Sequence, residues 1–191
     1  VGNDSDVRAV TTGPEGVLST MTPGAILVDH TTTSRALAED ISNACEDLGI
    51  SFMDAPVSGG QAGAKNGVLT IMLGGDEKTF NTVKPIISTY AKHTQLMGPV
   101  GTGQVTKMVN QLCIAGVLGG LSEAFHFAEG AGLDIAQVTS AIQGGAAQSW
   151  QMTNRATSIA ARDYDFGFAV DWMRKDLGFA LDVAQELGLH L

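Results

Sequence analysis

Apolar and polar positions follow two rhythms along this chain, and the switch between them comes near residue 100. Before it, short apolar runs of strand length alternate with stretches of helical period; after it only the helical period remains. Residues 25–28 (Ala-Ile-Leu-Val), 50–53, 68–73 (Val-Leu-Thr-Ile-Met-Leu) and 93–97 are the strand-like runs. Residues 34–48 carry an amphipathic helical pattern that stops at Gly49, a residue suited to the left-handed turn that ends helices. Residues 25–53 therefore predict a βαβ unit, and such units imply a parallel sheet with ligands bound beyond its carboxyl strand ends. Residues 77–90 predict a helix that Pro85 kinks or divides. Residues 5–21 carry weaker helical signals, broken by Thr-Thr-Gly-Pro at 11–14. Beyond the switch, helices are expected over 102–131, 135–143, 149–161 and 170–187.

The expected fold class is thus α/β: the second half of a parallel sheet within residues 1–100, then an all-α region over 101–191, joined by a long helix. That helix shows no polar face of its own from Leu112 to Leu121, so burial on most sides is expected. It opens with Gly101-Thr-Gly-Gln-Val-Thr-Lys-Met-Val-Asn-Gln111, which places Lys107 and Asn110 one helical turn apart on one face. The strand ends at 29–33 and 54–60 are polar and turn-rich. The stretch 55–67 predicts a loop too long to be idle in a compact domain.

Composition narrows the candidates. The chain has 191 residues, 44% apolar and 16% charged, enough to bury a core. Its 24 glycines follow no collagen-like period and point to tight turns and close backbone approaches. A net charge of −9 argues against a nucleic-acid partner. Cys45 and Cys113 both fall in apolar helical patterns and read as reduced core thiols, in keeping with a cytoplasmic location. No signal peptide opens the chain, and the long helix reads as too short and too interrupted, by its glycines, Ser122 and Glu123, for a membrane span. The lack of an initiating methionine suggests an internal piece of a longer protein. No histidine–carboxylate cluster has metal-ligand spacing, so no metal site is expected. No G-x-G-x-x-G follows a strand, so the βαβ unit at 25–53 reads as the later half of its sheet.

Each candidate residue has a plain reading beside its chemical one. Lys107 either snorkels from a half-buried helix or, desolvated, moves a proton at a substrate oxygen. Asn110 is either a surface amide or a hydrogen-bonding partner of that substrate. Ser58-Gly59-Gly60 is either a plain turn or a set of unshielded N–H groups able to hold a carboxylate or phosphate. Ser58 lacks an evident histidine base and a nucleophile elbow. Lys175-Asp176, inside an apolar helix, reads equally well as an exposed charge pair.

Their order says more than any one of them. Asp54-Ala-Pro-Val-Ser-Gly-Gly-x-x-Gly-Ala, Gly74-Gly75, Gly-x-Gly-Gln-x-x-Lys-x-x-Asn and a late Lys-Asp-Leu together resemble the β-hydroxyacid dehydrogenase family. That family includes 3-hydroxyisobutyrate dehydrogenase and tartronate semialdehyde reductase, with 6-phosphogluconate dehydrogenase more distant. The resemblance spans essentially the whole chain. It implies a Rossmann-type NAD(P)-binding domain over 1–100, its first half missing, and an all-helical substrate and dimerisation domain over 101–191, its carboxyl-terminal part missing.

By the same resemblance Lys107 is the catalytic acid/base. Ser58, Gly59 and Gly60 hold the substrate carboxylate, Asn110 or Gln111 supplies a substrate-contacting amide, and Trp150 either walls the pocket or belongs to the core. Val1, Gly2, Asp6, Thr32 and Lys175 fall where the family meets its cofactor, NAD or NADP. The implied activity is hydride transfer between nicotinamide and a short 3-hydroxy acid or its semialdehyde. The implied partners are a small carboxylate-bearing substrate and further copies of the chain, as a dimer or tetramer, with no membrane. Rival readings are an imine-reducing relative, a non-catalytic binding protein that keeps the fold, and a fragment without activity.

Overall fold

Strand β4, Leu69–Gly74, is apolar and buried at every position but Thr70, and the sheet is assembled around it. In the computed structural model, which describes residues 1–165 and 167–191, β4 pairs on one edge with β5, Ala91–Gly98, in parallel. On its other edge it meets β2, Ser51–Asp54, and β3, Val57–Ser58, both antiparallel. β1, Ile26–Asp29, adds to β2 in parallel, with Asp29 level with Asp54. The expected βαβ unit is present, but the sheet is mixed, because β4 runs against β2 and β3. A parallel return would need a long crossover. Only the short α3, Gly60–Lys65, lies between β3 and β4. The stretch expected as a long loop therefore contains a strand and a helical turn.

The helices begin where side chains can satisfy their free N–H groups. Helix α1, Asp4–Thr11, is capped by Asn3, and α2, Arg35–Glu46, by Ser34, whose oxygen accepts from the Leu37 N–H at 3.1 Å. One face of α2 (Leu37, Ala38, Ile41, Cys45) joins Val7, Leu18, Ile50 and Phe52 in one core. Gly49 closes α2 with φ +67°. Helix α4, Glu77–Ile87, capped by Asp76, packs Phe80, Val83 and Ile87 on the other face of the sheet with Met53, Ile71 and Leu73. Each such side chain contributes roughly 1.5–3 kcal/mol on leaving water. Pro85 does not divide α4, which runs unbroken past it and ends two residues later.

The chain forms two compact units: 1–110 together with 168–191, and 111–167. The last helix, α8 (Val170–Glu186), thus belongs with the sheet, and the division falls ten residues after the change of rhythm at 100. Helix α5, Thr102–Gly130, starts in the first unit and continues in the second. In the second unit its residues Leu121, Phe125 and Ala128 form a core with α6, Ile135–Ile142, and α7, Trp150–Ala160, through Ile135, Met152 and Ala156.

Three expectations about α5 need correction. Its middle is not buried on most sides: Cys113, Gly116, Val117, Gly119 and Gly120 are exposed, since α6 and α7 cover only its second half. Cys113 is therefore an exposed thiol, whereas Cys45 is a core thiol with its pKa raised by burial. The glycines do not interrupt the helix, whose 29 residues are long and apolar enough to cross a membrane by length and composition. Its first turns are instead committed to protein contacts, with Gln104, Lys107 and Met108 buried.

Candidate active site

The first three turns of α5 lie against residues 54–58, which lead from the end of β2 into β3. Gly101 donates its N–H to Asp54 Oδ1 at 2.7 Å, and Gln104 donates its N–H to Asp54 Oδ2 at 2.8 Å. One turn on, Lys107 Nζ donates to the Val57 carbonyl at 2.9 Å; another turn on, the Ser58 hydroxyl donates to Asn110 Oδ1 at 3.3 Å. Positions three apart share a helix face, so these contacts run in order along residues 54–58. They bring Lys107, Asn110 and Ser58 together.

Gly59 and Gly60 follow at once, with φ +128° and +60°. A side chain at Gly59 would crowd Leu69 Cδ2 at 3.2 Å, whereas Gly60 faces open space and needs glycine for its backbone angle alone. The turn leaves N–H groups beside Ser58 unshielded.

Lys107 is only 7% exposed. Desolvation lowers its pKa below the usual lysine value; Asp176 opposes that shift and Lys175 adds to it. Both neighbours come from α8. They are not the exposed pair the sequence allowed: Asp176 is 2% exposed and Lys175 half-buried, its Nζ 3.1 Å from Asp176 Oδ1. Lys175 Nζ also donates to the Thr32 carbonyl at 2.5 Å and lies between the rings of Trp172 and Phe179, at 5.7 and 5.3 Å. Stem and cation are thus held by aromatic faces.

The turn after β1 is gripped from the opposite direction by Gln104, which is fully buried. Its amide oxygen accepts from the Thr33 N–H at 3.0 Å, and its nitrogen donates to the Thr31 carbonyl at 2.7 Å. Thr33 Oγ1 is buried without a hydrogen-bond partner. At the chain start, the Gly2 N–H donates to Asp6 Oδ2 at 2.9 Å, and Val1 is exposed. A Cβ on Gly2 would fall 2.2 Å from the Trp172 ring, so that indole lies directly on the Gly2 backbone. The first unit therefore gathers Gly2, Thr32, Lys175, Lys107, Ser58 and Asn110 around the strand ends.

Gln111 and Trp150 belong to the second unit. Gln111 is buried; Trp150 heads α7 at 55% exposure under the Arg155 guanidinium, which rules out the core reading of that indole. Asp54, Gln104, Trp172 and Asp176 were not among the expected site residues. Asp54 and Gln104 lie inside motifs the sequence displays, but nothing in a one-dimensional pattern shows that their side chains turn inward. Among the described residues no group of histidine, cysteine and carboxylates could hold a metal ion.

Comparison with known proteins gives this arrangement a family. Residues 1–101 match the NAD binding domain of 6-phosphogluconate dehydrogenase, and residues 101–191 match the NAD-binding domain of NADP-dependent 3-hydroxyisobutyrate dehydrogenase. The chain belongs to the β-hydroxyacid dehydrogenase family. Among relatives of that family, an uncharacterized oxidoreductase of Shewanella frigidimarina is 60% identical over the whole chain, which spans 66% of that protein. The 2-hydroxy-3-oxopropionate reductase of Escherichia coli is 36% identical over the whole chain, which spans 65% of it. A solved 3-hydroxyisobutyrate dehydrogenase from Salmonella typhimurium superposes with a TM-score of 0.89 at 34% identity, covering 100% of this chain and 67% of that one. The cofactor class of the family is NAD or NADP, and the mixed α/β architecture with its long helix is the family's fold.

Proposed function

We propose that this chain forms part of an NAD(P)-dependent oxidoreductase acting on a short 3-hydroxy acid or the corresponding semialdehyde. One observation carries the reading: a buried lysine of lowered pKa, Lys107, sits one helical turn from Asn110 and beside the Ser58-Gly59-Gly60 turn. A lysine so placed gives up its proton more readily than an ordinary surface lysine, as proton exchange with a substrate oxygen requires. The Escherichia coli reductase and the Salmonella typhimurium dehydrogenase that the chain resembles are named for reactions of this kind, which supports the substrate class.

The residues present fit the nicotinamide end of the cofactor. The Lys175 ammonium and the Thr31–Thr33 turn, with its unpartnered buried hydroxyl, lie at the carboxyl end of β1, and the Gly2 backbone lies against Trp172, three residues before Lys175 on α8. We therefore assign Val1, Gly2, Asp6, Thr32 and Lys175 to cofactor contact. When bound, the cofactor supplies the hydride acceptor or donor. Lys107 takes the hydroxyl proton in oxidation and returns one to the carbonyl oxygen in reduction. The N–H groups of Ser58, Gly59 and Gly60 anchor the substrate carboxylate, and the Asn110 amide orients the reacting oxygen, with Gln111 and Trp150 as further substrate contacts. Residues 1–100, with Lys175 of α8, then serve the cofactor, and 101–191, with the Ser58-Gly59-Gly60 turn, serve the substrate. A dimer or tetramer in the cytoplasm, without membrane attachment, completes the proposal; Val109, Val117 and Phe127 on α5 offer exposed apolar surface for association.

The test is Lys107→Ala in the complete protein. Turnover of 3-hydroxyisobutyrate and of tartronate semialdehyde is expected to fall by roughly 10²–10⁴ while NADH or NADPH titration, followed by nicotinamide fluorescence, stays near normal. Turnover close to the parent's rules the assignment out. Loss of cofactor binding in the parent itself favours a non-catalytic or fragmentary role.

A further inference from the structure

The buried carboxylate of Asp54 takes no part in the chemistry just described, yet both its oxygens accept from the start of the helix that carries Lys107. Oδ1 holds the Gly101 N–H at 2.7 Å and Oδ2 the Gln104 N–H at 2.8 Å, with the residue 0% exposed. The side chain has no room to swing. A Cβ on Gly74 would lie 2.3 Å from Oδ1, and one on Gly103 would lie 2.7 Å from Oδ2. Two glycine faces thus enclose the carboxylate, and it binds N–H groups that the first turn of α5 cannot satisfy internally.

The consequence passes along α5 in both directions of contact. Lys107 follows Gln104 by one turn and meets the Val57 carbonyl, three residues after Asp54 and at the start of β3. Gln104 itself spans Thr31 and Thr33, the turn whose middle carbonyl holds Lys175. Sliding the helix start by a fraction of a turn would move the lysine from the Ser58 side and loosen the turn after β1 together. As a stabilising device the ionised carboxylate is a poor one: burial outweighs the N–H bonds and keeps its pKa above the usual carboxylate value.

We propose that Asp54 is a positioning residue, pinning the amino end of α5 so that Lys107 sits at its working depth. The proposal rests on the reading of Lys107 as the proton-transfer group, and its test separates the two. Asp54→Asn, Lys107→Ala and the double variant are compared in the complete protein. Asn keeps one acceptor oxygen but turns an NH2 group toward the second N–H, so the shape stays and the grip is halved. The expected result for Asp54→Asn is a kcat loss on the order of 100-fold, the scale of an ångström-sized misplacement. KM for the acid substrate, NAD(P)H binding and Tm should be little changed, and the solvent deuterium isotope effect on kcat should grow. In the double variant the Asp54 effect should disappear, because a helper of Lys107 has nothing to position once the amine is gone. A parent-like kcat in Asp54→Asn, with Lys107→Ala strongly impaired, overturns the positioning role alone. So does a loss accompanied by failed folding, by weakened cofactor binding, or by an undiminished effect in the double variant, each of which marks a structural role. A Lys107→Ala enzyme that turns over near the parent's rate removes the proton-transfer reading itself.

Discussion

Replacing Lys107 by methionine should move activity and stability in opposite directions. The side chain is 7% exposed and its pKa is lowered chiefly by desolvation, so the folded protein disfavours the ammonium form relative to the unfolded chain. The sign follows from proton linkage. Between the lowered folded pKa and the ordinary value of 10.5, the unfolded chain binds more protons, so stability rises with pH across that window. Below the window the full penalty of the buried charge is present. Methionine fills nearly the same volume without a charge and forfeits one hydrogen bond, to the Val57 carbonyl, a net loss of about 1 kcal/mol. Urea unfolding of Lys107→Met is therefore expected to show stability equal to or above the parent at pH 7, and the parent's rise toward pH 10 should be lost. Turnover should fall by roughly 10²–10⁴, the usual contribution of a general acid or base, which corresponds to about 3–5 kcal/mol in the barrier. Destabilisation by several kcal/mol together with surviving turnover would refute both halves of this reasoning.

With Lys107 in its proposed proton-transfer role, the same pKa sets the direction of catalysis with pH. Oxidation would then need neutral Lys107 and should gain kcat/KM as pH rises through the lowered value; reduction would need the ammonium and should lose it there, with the shared inflection below 10.5. Paired pH profiles in the two directions check this. Ser58→Ala removes the hydroxyl that donates to Asn110 at 3.3 Å and should raise KM for the acid severalfold, in line with a hydrogen bond worth about 1 kcal/mol, with cofactor affinity kept. Gly2→Ala drives a methyl into the Trp172 ring, 2.2 Å away. It should weaken NAD(P)H binding and shift the tryptophan emission, whereas unchanged fluorescence titrations would detach Gly2 from the cofactor site. Lys175→Met frees the Thr32 carbonyl and should raise KM for the cofactor more than KM for the acid.

Local pattern determined the elements. Strand runs such as 25–28 and 68–73 and the stop at Gly49 depend on neighbours within a few residues, and the elements form close to those places. The ordered motifs around Ser58, Lys107 and Lys175 likewise carried the family, because each is short and contiguous. The tertiary structure decided what depends on who faces whom. The reversal of β4 turns on the shortness of α3, which hides in a glycine-rich stretch that reads as a loop. The exposed middle of α5 could not be inferred from its apolar sequence, since burial requires a partner and hydrophobicity only permits one. Asp176 and Asp54 read as ordinary charges at a helix and a strand end until the fold removes water from both. Burial is a sum over contacts from segments distant in sequence. Lys107 shows the division: its place on a helical face is written in a spacing of three residues, while its lowered pKa comes from burial, opposed by Asp176 and assisted by Lys175 on α8, some seventy positions further along.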